Sequence, residues 1–134
     1  MSPSGRRRVP LARLAPPPRE GGAFYALAAV DCHGRIGDRA LPRALGWPAG
    51  TRLEIREDRG LIVVLADPRG VFRVTGPGYV QLPAVVRHCC ALAAGDRVFL
   101  AADPVAGRLV MHPPAAVDAM VAAAHAAVWG GDPV

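Results

Sequence analysis

Val30-Asp-Cys-His-Gly-Arg-Ile36 and Val74-Thr-Gly-Pro-Gly-Tyr-Val80 are two versions of one stretch, and the fold is read from its repetition. Each version runs on into a short helical segment, a Gly followed by Thr or Asp, and an apolar strand. The first continues Gly34-Arg-Ile-Gly-Asp-Arg-Ala-Leu41, Pro42-Arg-Ala-Leu-Gly-Trp47 and Gly50-Thr-Arg-Leu-Glu-Ile55. The second continues Gly78-Tyr-Val-Gln-Leu-Pro83, Ala84-Val-Val-Arg-His-Cys-Cys-Ala-Leu92 and Gly95-Asp-Arg-Val-Phe-Leu100. A unit this small has too little surface to bury its own apolar side, so the two must combine.

Working outward, Phe24–Val30 is an apolar run of strand length, and Asp31–Gly34 supplies turn chemistry with Gly34 available for positive φ. Arg35-Ile36 reads as a brief return strand. Asp38 suits the N-cap of a helical turn over Arg39–Gly46, which Gly46 closes. Arg52–Glu57 alternates polar and apolar, Asp58-Arg-Gly60 turns, and Leu61–Ala66 returns, so a hairpin is predicted. Asp67-Pro-Arg-Gly70 is the junction between halves. The second half repeats the pattern with strands over Val71–Val74 and Tyr79–Leu82. A helix with Pro83 at its first position runs to Ala91. Strands over Val98–Ala101 and Leu109–Met111 follow, around the loop Asp103–Gly107. After Pro113-Pro114 the composition predicts a helix over Ala115–Trp129, with Val117, Met120, Val121, Ala124 and Val128 on one stripe, long enough to pack across a sheet or against a partner.

Of the 134 residues half are apolar and a fifth charged, which is globular. The basic residues are all Arg, 16 against 11 acids. Five of them fall in residues 1–20 against the single acid Glu20, so the net charge of +5 sits mostly in that arm. Such an arm is either a polyanion-binding segment, with Arg6, Arg7 and Arg8 as its densest part, or a solubilising extension. Its Pro, Ser and Gly content predicts a disordered or extended chain over residues 1–22.

The cysteines Cys32, Cys89 and Cys90 lack paired spacing, and a reducing cytosol with small buried thiols is expected. Adjacent Cys89 and Cys90 on a helix point about 100° apart and suit one metal ion poorly, so no metal or other cofactor is expected. No secretory h-region and no span long enough for a bilayer are read, which predicts a cytoplasmic protein without membrane contact. No nucleophile-base spacing, Gly-rich phosphate loop or carboxylate pair stands out, and an enzyme is not expected.

The pattern Gly78-x-Val80-x-Leu82-Pro83, then Arg87, Leu92 and Gly95-Asp96, resembles the AbrB/MazE/SpoVT DNA-binding domain family. The first half keeps Gly34-Arg35-Ile36, Leu45-Gly46-Trp47 and Gly50-Thr51 but is one residue shorter, with Asp38-Arg39 in place of the Leu-Pro step. The resemblance covers residues 24–113. It implies a mainly β fold, a swapped-hairpin β-barrel made from two tandem halves (23–68 and 69–113), each with a short helix. The C-terminal helix (114–129) and tail (130–134) lie beyond it.

It further implies a double-stranded DNA-binding transcriptional regulator, acting at the nucleoid. Arg35 and Arg43, with Arg39 between them, face DNA from the first half and Arg87 from the second. Arginine brings charge for phosphates and a planar fork for guanine edges. Tyr79 stands where the second half would carry its Gly-Arg arginine, and Tyr79 and Gln81 can hydrogen-bond phosphate. Two other readings stay open: an antitoxin-type protein that binds operator DNA and a toxin, and an assembly module without DNA binding. The family's toxin-binding tails are acidic, whereas this terminal helix holds one acid, Asp118. The helix is therefore expected to close the barrel or to join a homodimer or higher oligomer.

Overall fold

The structure, a computed structural model, describes residues 22–130. Its first strand, β1 (Phe24–Ala29), does not pair within its own half. It runs antiparallel to β5 (Arg97–Asp103), from Phe24 opposite Ala102 to Ala29 opposite Arg97. The exchange is reciprocal: β4 (Phe72–Arg73) pairs with β2 (Arg52–Asp58) of the first half. Each half keeps one hairpin of its own, β2 with β3 (Leu61–Ala66) and β5 with β6 (Arg108–His112). Pairing of β3 with β6 joins the hairpins, and the sheet has the order β1-β5-β6-β3-β2-β4, antiparallel throughout.

This sheet is mainly β as expected, but it is not closed into the barrel that the resemblance implies. β1 and β4 stand at opposite ends of the order. Each is followed by a turn at a positive-φ glycine, Gly34 (φ +84) and Gly78 (φ +100), after which the chain folds back. Val30 bridges Ile36, and the Thr75 N–H donates to the Tyr79 carbonyl at 2.9 Å. The returning segments then meet each other. Ile36 N–H donates to Val80 O at 2.9 Å, Leu82 N–H to Gly34 O at 2.8 Å, and Arg35 bridges Gln81. Two such segments occupy the gap where a closing ladder would stand, and the expected strand Tyr79–Leu82 is reduced to that bridge.

Helix α1 (Ala40–Ala44) begins one residue later than expected, with Arg39 and not Asp38 at its N-cap, although Asp38 Oδ1 still accepts the Leu41 N–H at 2.8 Å; Gly46, at φ +74, follows its end. Helix α2 (Ala84–Cys89) is shorter than the expected run to Ala91, and Pro83 precedes its first turn in an extended conformation. It stops because Ala91 takes φ +52, the role Gly46 plays in the first half. A Cβ in that region costs about 1 kcal/mol.

The core draws matching residues from both halves. Leu53, Ile55, Ile62 and Val64 from one hairpin meet Val98, Leu100, Leu109 and Met111 from the other, all on the inner face set by the two-residue strand period. Val30, Ile36, Val74 and Val80 close one end, and Leu41, Trp47, Val86 and Leu92 seal it from the helical segments. The cysteines depart from expectation. Cys32 at a turn tip and Cys89 on the outer side of α2 are exposed, while Val86 takes the inward position of that helix. Cys90 is half-buried; burial pushes its thiol up, and the nearby Glu57 and Cys89 add to the effect.

The last element, α3 (Pro114–Val128), spans nearly the expected residues, but it does not close the fold. It meets β5 and β6 only at its start, where Ala116 and Val117 are half-buried. Further along the stripe, Met120 is 40% exposed, Val121 45% and Val128 76%. Among the described residues, no helix is long and apolar enough to cross a membrane.

Two backbone positions give opposite stability predictions. A Cβ on buried Gly70 would come within 2.8 Å of the Leu53 nitrogen and closer to its carbonyl, and backbone cannot yield as a side chain does. Gly70→Ala is expected to destabilise by about 1–3 kcal/mol. Ala91→Gly relieves the left-handed strain and is expected to stabilise by up to about 1 kcal/mol. Denaturant midpoints of the two variants should move in opposite directions from the parent.

Candidate nucleic-acid interface

Two turns build this surface, one from each half, and they use the same local chemistry. In the first, Asp31 Oδ1 accepts the N–H groups of His33 and Arg35, both at 2.8 Å, and the Gly34 N–H returns to the Asp31 carbonyl at 3.0 Å. In the second, Thr75 Oγ1 accepts the Tyr79 N–H at 2.9 Å and the Gly78 N–H returns to the Thr75 carbonyl at 2.9 Å. Arg35 and Tyr79 therefore leave equivalent turns at equivalent positions. The exchange of strands brings these turns face to face.

What projects from the two turns differs. The Tyr79 ring is flanked by two guanidinium groups, with Arg39 Cζ at 5.6 Å and Arg35 Cζ at 6.0 Å from its centroid. Such contacts are worth about 0.5–1 kcal/mol at exposed sites and hold a long side chain in place. Arg35 is also tied through Nε to Asp31 Oδ2 at 2.7 Å, in a pair about 40% exposed on both sides. The Asp31–Arg35 pair was not singled out from sequence. Its signal is an acid four residues before an arginine across a tight turn.

Arg39 and Arg43, from the start and last turn of α1, line one side of a cleft of about 400 Å³. Gly46, Trp47, Pro48, Ala49 and the Gly76-Pro77-Gly78 turn of the other half make the rest of its wall. Arg43 is exposed, and among the described residues it has no ion pair. The counterpart cleft, about 310 Å³, is lined by His33, Gln81, Pro83 and Arg87. There the groups are restrained: Arg87 Nε donates to the Leu82 carbonyl at 3.1 Å, and Gln81 Nε2 donates to the His33 carbonyl at 2.8 Å. Arg87 lies so close over Gly34 that a Cβ there would be 2.7 Å from its Nε.

Arg35 and Arg39 thus meet at the Tyr79 ring, Arg39 and Arg43 share the first cleft, and Gln81 and Arg87 share the second beside Gly34. Arg6, Arg7 and Arg8 lie outside the described residues. The match of Arg43 depends on the direction of counting. From the start of the helix it corresponds to Arg87, since Arg43 N–H donates to Arg39 O as Arg87 N–H donates to Pro83 O. From the end it corresponds to His88, since Gly46 N–H donates to Arg43 O as Ala91 N–H donates to His88 O. The first half is one residue shorter, and the difference falls inside the helix itself.

Chemically the surface is a set of N–H donors and positive charge around one aromatic ring. Its two acids are both engaged, Asp31 by Arg35 and Asp38 by the α1 backbone. Among the described residues, no three His, Cys, Asp or Glu side chains cluster as a metal site. No family model, no curated protein and no solved structure matches this chain.

The Asp31 turn makes a titration prediction. Desolvation pushes the Asp31 carboxyl up, but the N–H and guanidinium of Arg35, the His33 N–H and the Arg35 charge outweigh it and bring the group from 3.8 to about 2. A depressed folded value means the stabilisation is present above the unfolded value and is lost as pH falls through the folded one. The Asp31 contribution should thus be full above pH 3.8 and disappear toward pH 2. Carboxyl chemical shifts should titrate near 2 in the native chain and return part of the way toward 3.8 in Arg35→Ala, which removes the guanidinium and keeps both backbone N–H donors.

Proposed function

We propose that this protein is a transcriptional regulator of the AbrB-like type that binds double-stranded DNA through the arginine surface of its two exchanged halves. The observation that carries the reading is the placement of Arg35 and Arg39 beside the Tyr79 ring, of Arg43 in one cleft with Arg39 and of Arg87 over Gly34, with Asp31 and Asp38 already engaged. The exchange of β1 and β4 between the halves supports a swapped-hairpin arrangement of two tandem units, without a closed barrel. In this reading the roles divide. Arg43, without an ion pair among the described residues, and Arg39, held beside the Tyr79 ring, supply donors to phosphate and to guanine edges in the groove. Arg35 and Arg87, tied by Asp31 and by the Leu82 carbonyl, are set in fixed positions that define register. Contact is stronger on the first-half side, and the footprint is asymmetric. The basic arm with Arg6, Arg7 and Arg8 adds phosphate contacts of little sequence preference.

Fluorescence anisotropy with labelled duplex across a salt series tests this. Each phosphate contact removed lowers the slope of log K against log salt by about 0.9, so Arg39→Ala with Arg43→Ala should lower it by about two. Absence of binding at low salt, or binding that salt leaves unchanged, would refute the proposal. Asp31→Asn adds a second reading of the same surface. It keeps the Oδ1 acceptor that holds the turn and removes the charge opposing Arg35, so affinity should rise several-fold.

A further inference from the structure

The two equivalent turns differ in what lies beside them. At Gly34 the space is taken: a Cβ there would lie 2.7 Å from both the Arg87 Nε and the Leu82 carbonyl oxygen. At Gly78 a Cβ would meet Arg39 Cδ alone, at 3.8 Å, and one on Gly76 would meet nothing within 4 Å. The cleft beside Gly78 is therefore open, and its free space of about 400 Å³ is in the range of small-molecule sites.

Its lining is of two kinds. Arg39 and Arg43 stand four residues apart, the Arg43 N–H donating to the Arg39 carbonyl at 3.4 Å, so their side chains are neighbours one turn apart. Arg39 is held at the Tyr79 ring, with Cζ 5.6 Å from the centroid. Arg43 is exposed and has no ion pair among the described residues. Among the described residues no Asp or Glu lines the cleft. Trp47, Pro48, Ala49 and Pro77 make the second kind of lining, uncharged and largely apolar.

Two guanidinium forks so close match a compact group of two negative charges, and the apolar lining matches an uncharged body joined to it. A phosphate monoester carries about −1.5 to −2 charges near pH 7, whereas each phosphodiester of a duplex carries one. We infer that this cleft binds a small organic phosphate monoester, its phosphate held by Arg39 and Arg43 and its organic body by Pro48, Ala49 and Pro77. Glycine at positions 76 and 78 leaves the room that side chains would take. The inference stands without the DNA reading, because it concerns a soluble ligand measured with no duplex present.

Adenosine 5′-monophosphate is the probe, set against adenosine, which lacks the charge, and inorganic phosphate, which lacks the body. In proton–nitrogen correlation spectra of the full chain, the monophosphate should shift the amides of Arg43, Trp47, Ala49, Gly76 and Gly78 and approach saturation by about 1 mM. Adenosine should shift none of them, and inorganic phosphate should bind about tenfold more weakly. Arg43→Ala should weaken monophosphate binding about tenfold by removing one charged fork. Ala49→Leu with Gly76→Leu fills the space and keeps both arginines. It should weaken monophosphate binding about tenfold and leave inorganic phosphate within about twofold of the parent. Arg43, Ala49 and Gly76 are exposed and a Cβ on Gly76 meets no neighbour, so these variants should melt as the parent does. Absence of shifts at these residues at about 1 mM monophosphate overturns the inference, as does binding that Arg43→Ala leaves unchanged. Equal affinity for monophosphate and inorganic phosphate, or indifference to the two leucines, overturns the place given to the organic body.

Discussion

The structure depends on the exchange of first strands between its halves. β1 lies on β5 and β4 lies on β2, so neither hairpin has a complete edge without residues contributed by the other half. Buried backbone N–H and C=O groups left without partners cost on the order of 1–3 kcal/mol each. The two halves are therefore one cooperative unit. The core follows the same rule, because the inner faces of the two hairpins close on each other and the short returning segments around Ile36 and Val80 plug the end. The arginine surface is a further consequence. Arg35 and Tyr79 come from turns that follow the exchanged strands, and they meet only because the strands before them have crossed.

Local elements were legible in the sequence where a turn set the register. Leu61–Ala66 was read to the residue because Asp58-Arg59-Gly60 forces a tight reversal, with Arg59 at φ +54 and Gly60 at φ +87. Asp38 and Gly46 marked α1 for similar reasons. Partnership was not legible. Nothing within Phe24–Ala29 states that its partner lies in Arg97–Asp103, since alternation tells which side faces inward and not which strand lies alongside. Closure into a barrel failed as an expectation for the same reason. It depends on what the segments after the two Gly-containing turns pair with, and they pair with each other, leaving β1 and β4 at opposite ends of the sheet. The α3 stripe is the same case in a helix: periodicity names the apolar side and is silent about what covers it.

At the candidate site, residue types were readable and their freedom was not. The sequence suggested Arg35, Arg43 and Arg87 as one class only through a resemblance. Structure separates them. Arg43 has no ion pair among the described residues, Arg35 is held by a carboxylate, and Arg87 is held by a carbonyl at a glycine that has no room for a side chain. These differences come from contacts between segments far apart in the chain, such as Gly34 with Arg87, which no local pattern encodes.

The difference between Arg35 and Tyr79 at equivalent turn positions takes on meaning from this arrangement. If both turns carried arginine, as equivalence of the halves would have it, two guanidinium groups would stand near each other across the junction. At about 6 Å their repulsion is roughly 0.7 kcal/mol in bulk water and about 3 kcal/mol at an effective dielectric of 20. With tyrosine in one place that repulsion becomes attraction of about 0.5–1 kcal/mol, and the ring accommodates Arg39 as well as Arg35. The chain gives up one charge and gains order in two. Duplication within a single chain is what permits this, because identical subunits cannot place arginine on one side of a two-fold axis and tyrosine on the other. The asymmetry of the surface is thus a direct result of carrying the unit twice in one polypeptide.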